Sequence, residues 1–204
     1  MAHLSGNIYK YADVNKVPPK AIKRYGRVLI YTKPEEMKQT IVVRGSMLFK
    51  YPQDVLMNVN IRHAVYNDYH IHKGFFNEAV KILGELKSKA VLNSTYDIDI
   101  TGHSSGGCIG CILAMLMYEK HGNINEVITF GQPKFIKDVY GCPINFTRMV
   151  NIADPVPLIP MWDLRHMGKP YILDPHNHGD IMQLKAHEMR SYINNVVTNI
   201  EKST

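Results

Sequence analysis

Along this chain, short runs of clustered or alternating apolar residues are followed by longer stretches where apolar residues recur at helical spacing. Val28–Thr32 and Thr40–Arg44 predict strands, the second fully apolar through Ile41, Val42 and Val43. Phe75–Leu92 predicts an amphipathic helix, because Phe75, Phe76, Ala79, Ile82, Leu83 and Leu86 fall on one face. At Tyr96–Thr101, Ile98 and Ile100 alternate with Asp97 and Asp99, as in a short strand. Cys108–Tyr118 is uncharged and apolar, long enough for a buried helix that Gly122 would stop. Glu126–Phe130 and Phe146–Ile152 predict two further strands, and Asp180–Ile200 a last helix. The punctuation comes from Pro34-Glu35-Glu36, Gly131-Gln132-Pro133 and Asp154-Pro155. Strands alternating with helices indicate an α/β fold whose mainly parallel sheet is covered on both faces. In such sheets catalytic groups gather at the carboxyl ends of strands. Thr101, Phe130 and Ile152 are three such ends, each followed by a loop with polar chemistry.

Size and charge narrow the classes without naming one. The 204 residues suit a single domain, 1–204, with residues 1–25 as a polar N-terminal arm. The longest apolar run, around Cys108–Tyr118, is too short to cross a bilayer, so no transmembrane segment is expected. Met1–Lys16 has no apolar h-region of the kind a signal peptide carries, and the expected location is cytoplasmic. Cys108 and Cys111 sit one helical turn apart and Cys142 lies far off, which reads as small buried thiols in a reducing compartment. The net charge of +6 is spread over Lys10–Arg27, Lys81–Lys89 and Lys134–Lys137 without interleaved aromatics. That pattern lacks the marks of a nucleic-acid platform and reads as a solvated face, with transient contact with an anionic lipid surface as the alternative.

The chemistry centres on Gly102-His103-Ser104-Ser105-Gly106, between the Tyr96–Thr101 strand and the Cys108–Tyr118 helix. A Gly-x-Ser-x-Gly at a strand-to-helix turn is the nucleophile elbow of α/β-hydrolases, which makes Ser104 the candidate nucleophile. The turn brings the residues two before and two after the serine nearly into contact, so both must lack a Cβ. A serine needs a base, and the base a carboxylate, in the chain order Ser, Asp or Glu, His. Asp154 follows a strand end and is stiffened by Pro155, whereas Asp138, Asp163, Asp174 and Asp180 occupy less defined positions. For the base, His187 competes with His166, His176 and His178. His176-Asn177-His178 has the look of a metal pair, but no carboxylate cluster accompanies it, and it reads as a solvated loop with no metal or cofactor implied.

Thr101-Gly102-His103-Ser104-Ser105-Gly106-Gly107 resembles the elbow of the class 3 lipases. Val43-Arg44-Gly45-Ser46 is similar to that family's oxyanion strand, His72-Lys73-Gly74-Phe75 to its His-x-Gly-Phe segment, and Thr129–Pro133 to its Thr-Phe-Gly-x-Pro. Asn151–Pro157 resembles the acid loop, and His187-Glu188-Met189 with Tyr192 the His-x-Met-x-x-Tyr region. The resemblance implies an α/β-hydrolase fold with Ser104 as nucleophile, Asp154 as acid and His187 as base. It also implies an oxyanion hole from the N–H of Ser105 and the N–H and hydroxyl of Ser46. Asp54-Val55-Leu56-Met57-Asn58 is similar to the family's Asp-Trp-Leu-x-Asp, with Val55 in place of Trp and Asn58 in place of Asp. Only Met47–Gln53 is available for a lid, so a long amphipathic lid helix is not expected. Met47-Leu48-Phe49 are expected to be core or to flank an acyl groove.

The activity implied is a serine carboxylester hydrolase acting on lipid esters, without metal or cofactor. Phospholipase A1, monoacylglycerol lipase and soluble esterase share the same machinery. A catalytically inactive module that binds lipid or protein is the alternative outside enzymes.

Overall fold

The computed structural model of the chain describes residues 22–45, 62–139, 141–159, 163–173 and 183–201. A seven-stranded sheet forms the frame, in the order β1-β2-β3-β6-β7-β8-β9. Its first three strands, β1 (Ile22–Tyr25), β2 (Val28–Lys33) and β3 (Lys38–Val43), form an antiparallel meander. From β3 onward, β6 (Asp97–His103), β7 (Ile124–Phe130), β8 (Phe146–Asn151) and β9 (Lys169–Leu173) run parallel. A separate hairpin, β4 (His63–Tyr66) and β5 (Tyr69–His72), precedes the first helix. This is the mainly parallel α/β architecture that the alternating pattern predicts.

Helix α1 (Lys73–Ser88) buries Ala79, Ile82, Leu83 and Leu86, the stripe read from the sequence. Each of the three larger side chains contributes about 1.5–3 kcal/mol by leaving water. Helix α2 (Ser105–His121) lies between α1 and the sheet, packing against α1, β6 and β7. Cys108, Ile109, Ile112, Leu113, Ala114 and Met117 are all almost fully buried. An apolar surface all round is what a helix enclosed on every side requires. Helix α3 (Met189–Glu201) closes a second core cluster in which Tyr192 and Val196 meet Ile128, Phe130, Met149 and Leu173.

Four features depart from the sequence expectations. β1 lies inside the stretch read as a polar arm; only four residues long and at the sheet edge, it leaves Lys23 and Arg24 exposed. The β4–β5 hairpin turns on Asn67, whose φ of 50° is the left-handed conformation that a two-residue hairpin turn demands. β9 tolerates Pro170 because it is the other edge strand. The predicted helix over 180–200 is divided, with a 3-10 turn at Leu184–His187, an extended Glu188 (ψ 138°), and then α3. His187 therefore precedes the helix, and the break at Glu188 frees its side chain from the helical direction.

Because β3, β6, β7, β8 and β9 are parallel, their carboxyl ends share one edge. Val43, His103, Phe130, Asn151 and Leu173 end these strands, so the loops bearing Gly45, Ser104, Gly131 and Asp154 converge there.

Candidate active site

The elbow is held by its glycines. A Cβ on Gly102 would lie 2.4 Å from the Gly106 carbonyl oxygen, and one on Gly106 would lie 2.2 Å from that of Val43. Both are far inside contact distance with backbone that has nowhere to move, so the strand-to-helix turn and the end of β3 interlock only with glycine at both positions. Ser104 has φ 57° and ψ −132°, a conformation that costs a non-glycine residue on the order of 1–3 kcal/mol. Its N–H donates to the Phe130 carbonyl at 2.9 Å, and its carbonyl accepts from Gly107 N–H at 2.9 Å. These bonds hold the strained serine above the N-terminus of α2. Ser105, buried, is the first residue of that helix, at the positive end of its dipole.

Three side chains distant in sequence meet at this turn. Ser104 Oγ lies 2.9 Å from His187 Nε2, and His187 Nδ1 lies 2.8 Å from Asp154 Oδ2. A carboxylate oxygen only accepts, so His187 Nδ1 carries the proton and donates it to Asp154, and Nε2 presents its lone pair to the serine hydroxyl. Ser104, Asp154 and His187 are 3%, 2% and 8% exposed, which keeps water from competing for these bonds.

Asp154 is fully occupied. Its Oδ1 accepts from Val156 N–H at 2.8 Å, within the turn that Pro155 begins, and its Oδ2 also accepts from the Tyr192 hydroxyl at 2.6 Å. Burial, with the Asp154 charge beside it, drives the Tyr192 phenol far above its ordinary range, so it remains a donor. Asn151 holds the turn that carries His187: its Nδ2 donates to the Ala186 carbonyl at 2.8 Å, and Asn195 in turn donates to its Oδ1 at 2.9 Å. Gln183 N–H adds a bond to the Ala153 carbonyl at 2.9 Å, tying the base's loop to the acid's loop.

Gly131 completes the packing. Its φ is +57°, and a Cβ there would lie 2.9 Å from Asp154 Oδ2 and from His187 Nδ1. The turn after β7 is thus shaped to leave room for the Asp–His pair. Asn151, Gly131 and the Tyr192 hydroxyl had no assigned role in the sequence reading. A buried Asn at a strand end, adjoining the acid loop, is the signal that could have found the first.

The rival candidates are engaged elsewhere. His166 Nε2 donates to the Pro157 carbonyl at 2.8 Å, bracing the loop behind Asp154; burial, aided by the Arg148 charge, lowers its pKa to about 4. Asp138 pairs with His70 and Asp163 with Lys137. Asp174, Asp180, His176 and His178 lie outside the described residues, as do Ser46, Met47–Phe49 and Asp54–Asn58. The expectations placed on those residues, an oxyanion role for Ser46 and a short lid or groove flank over Met47–Gln53, are therefore not part of this geometry. Cys108 and Cys111 have Cys-x-x-Cys spacing, but their thiols donate to the Pro133 carbonyl and Gln132 Oε1, each at 3.4 Å, inside the core. Burial pushes both thiols well up, so neither is a metal ligand or a nucleophile. Among the described residues, no group of three or more His, Cys, Asp or Glu is arranged to hold a metal ion, and no helix is long and apolar enough to cross a membrane.

The frame resembles that of the Rhizomucor miehei triacylglyceride lipase, with a TM-score of 0.62 at 21% identity, covering 76% of this chain and 68% of that one. In sequence, the chain is 27% identical to the Rhizomucor miehei lipase over 147 residues, 64% of this chain and 40% of that protein. It is 29% identical over 125 residues to secreted mono- and diacylglycerol lipase 2 of Gibberella zeae, 50% of this chain and 31% of that protein. The matches thus span well under half the length of these relatives.

The Gibberella relative is named as secreted, against the cytoplasmic expectation, which is withdrawn. That expectation rested on the lack of an apolar h-region in Met1–Lys16; the free thiols, Cys108 and Cys111 buried and Cys142 partly exposed, do not decide the compartment. The family model described as Lipase (class 3) matches residues 36–164, more than half of the chain and including both the elbow and the acid loop, and the chain belongs to the class 3 lipase family.

Proposed function

We propose that the protein is a serine carboxylester hydrolase acting on lipid esters, with Ser104 as nucleophile, His187 as general base and acid, and Asp154 as the carboxylate that orients it. The observation that carries this reading is the unbroken chain from Asp154 through His187 to Ser104 Oγ, at 2.8 and 2.9 Å, ending on a strained elbow serine. Ser104 Oγ attacks the acyl carbon as His187 Nε2 takes its proton. The tetrahedral oxyanion accepts from the N–H of Ser105 at the α2 N-terminus and from Ser46. His187 then protonates the departing alcohol, leaving an acyl-enzyme on Ser104. Water, deprotonated by His187, attacks this ester, and its collapse frees the acid and returns the proton to Ser104. Tyr192 and the Val156 N–H keep Asp154 aimed throughout.

Lipid as the substrate class rests on family membership and on the surface around the site. Ile152, Leu158 and Leu184 are 53%, 46% and 45% exposed, and stand on the loops that carry Asp154 and His187. Apolar side chains at the rim of a polar site suit an acyl chain or a lipid surface.

The test combines a fluorophosphonate probe with a panel of mono-, di- and triglyceride, phospholipid and short soluble ester. Stoichiometric labelling is expected, lost in Ser104→Ala, with fatty acid released from at least one lipid. Ser104→Ala and His187→Ala should each lower kcat by several orders of magnitude, and Asp154→Asn somewhat less. A folded protein that takes no label would instead be a binding module, and labelling without hydrolysis of any lipid would remove the substrate class.

A further inference from the structure

His103, immediately before the nucleophile, makes two contacts with the residue read as the base. Its Nε2 lies 2.6 Å from the His187 carbonyl oxygen, and its ring lies against the His187 ring with centroids 4.7 Å apart and planes at 33°. We infer that His103 is a positioning residue for the reaction, a neutral imidazole whose Nε2–H fixes the His187 main chain and so sets the base at bonding distance from Ser104. The inference rests on His187 acting as the base.

A carbonyl oxygen only accepts, so the bond specifies the Nε2–H tautomer of His103 and leaves its lone pair on Nδ1. His103 ends β6 and is covalently joined to Ser104, so it is fixed in the same frame as the nucleophile. His187 belongs to a single 3-10 turn, Leu184–His187, and therefore lacks the rigidity of a helix. The His103 bond ties that turn to the elbow across 84 positions of sequence. Asn151 holds the neighbouring Ala186 carbonyl from β8, so consecutive carbonyls of the turn are clamped from two different strands.

The His103 ring also meets the Tyr192 ring edge-on, with centroids 6.0 Å apart, and the residue borders a cavity of about 300 Å³ whose other lining residues include Leu29, Val42, Phe130, Met189 and Ile193. Burial, and then the nearby His187, lower the His103 pKa to about 4, so it remains an uncharged donor through the neutral range. Neutrality matters here, because a second cation stacked on His187 would oppose the imidazolium formed as Ser104 attacks. His103 moves no proton in the reaction, since its Nε2–H is committed to the carbonyl.

Two substitutions separate the donor from the ring. His103→Phe keeps an aromatic ring and loses the donor; His103→Gln loses the ring but carries a terminal amide N–H at the reach of Nε2. On a soluble ester, His103→Phe should lower kcat by roughly 10–100-fold with KM changed less than about twofold, since a base displaced by a fraction of an ångström loses turnover before binding. His103→Gln should stay within about fivefold of the wild-type kcat. Full kcat in His103→Phe, or equal losses in both variants accompanied by equal falls in melting temperature, would overturn the inference.

Side-chain ¹⁵N spectra of the unmodified protein test it without any variant. His103 should be the Nε2–H tautomer and should not titrate between pH 8 and about 5.5. An Nδ1–H tautomer, or a His103 charged in that range, would also overturn it. His187→Ala belongs in the same series. If that variant keeps its activity, the assignment of the base fails; if it is inactive while His103→Phe is fully active, the role of His103 alone fails.

Discussion

Tyr192 joins two parts of the site through one oxygen, donating to Asp154 Oδ2 at 2.6 Å and accepting from the Asn151 main-chain N–H at 3.3 Å. Tyr192→Phe removes both bonds while leaving the ring against Phe130. It should lower kcat by about tenfold through a less well aimed Asp154, and stability by about 1–3 kcal/mol, because a buried N–H loses its acceptor and a buried carboxylate a donor. Kinetics and urea unfolding of the one variant read both losses. Gly131→Ala is the harsher change, since its Cβ would press on Asp154 and His187 from a position whose φ is +57°. Its kcat should fall by at least roughly 100-fold, in line with the cost of displacing a catalytic pair by about an ångström. At this scale Ser104, Asp154 and His187 were legible because each sits in a short motif of its own. Asn151, Gly131 and His103 were not, because their effect is exerted on residues 23 to 84 positions away and depends on the parallel strand ends meeting at one edge.

Element boundaries follow a similar logic. The apolar spacing of the first helix runs on to Leu92, yet α1 ends at Ser88. Ala90 adopts φ 45°, its N–H bonds the Lys87 carbonyl at 3.0 Å, and Val91 N–H bonds that of Leu86 at 3.4 Å. This is a Schellman ending with alanine where glycine is favoured. The periodicity of Val91 and Leu92 was genuine, but it marked residues that fold back over the helix end. Ala90 is exposed, so Ala90→Gly relieves the strain without removing packing. A gain of about 0.5–1 kcal/mol is expected, seen as a rise of roughly 1–4 °C in melting temperature. Helix α2 was legible as an apolar run buried all round, and the central strands by short apolar clusters or, in β6, by Ile98 and Ile100 alternating with Asp97 and Asp99. β1 and β9 were not, since an edge strand has one neighbour and tolerates Lys, Arg and Pro. The β4–β5 hairpin had its signal in Tyr66-Asn67-Asp68-Tyr69, a turn pair between aromatic residues that the helical stripe following it obscured.

For the molecule as a whole, the buried histidines couple folding to pH. The pKa values of His103 and His166 are both lowered to about 4 in the folded protein, chiefly by burial, with His187 beside the first and Arg148 beside the second. His72, at the start of α1, is lowered as well, again by burial first. In the unfolded chain these groups return to a pKa of about 6.5. Above that pH neither state is protonated, and the full stability is present. Between about 6.5 and 4 the unfolded chain takes up protons that the folded protein refuses, so stability falls as pH falls. The loss is at most about 3 kcal/mol for each of His103 and His166, which are only partly buried, and below pH 4 these groups add no further slope. Urea unfolding at pH 7, 5.5 and 4.5 should therefore show a midpoint that drops steadily through this window. His166→Gln retains a donor for the Pro157 carbonyl and cannot titrate, so it should flatten that decline while leaving the pH 7 midpoint little changed. A decline as steep in His166→Gln as in the wild type would mean that acid acts on this fold through groups other than His166.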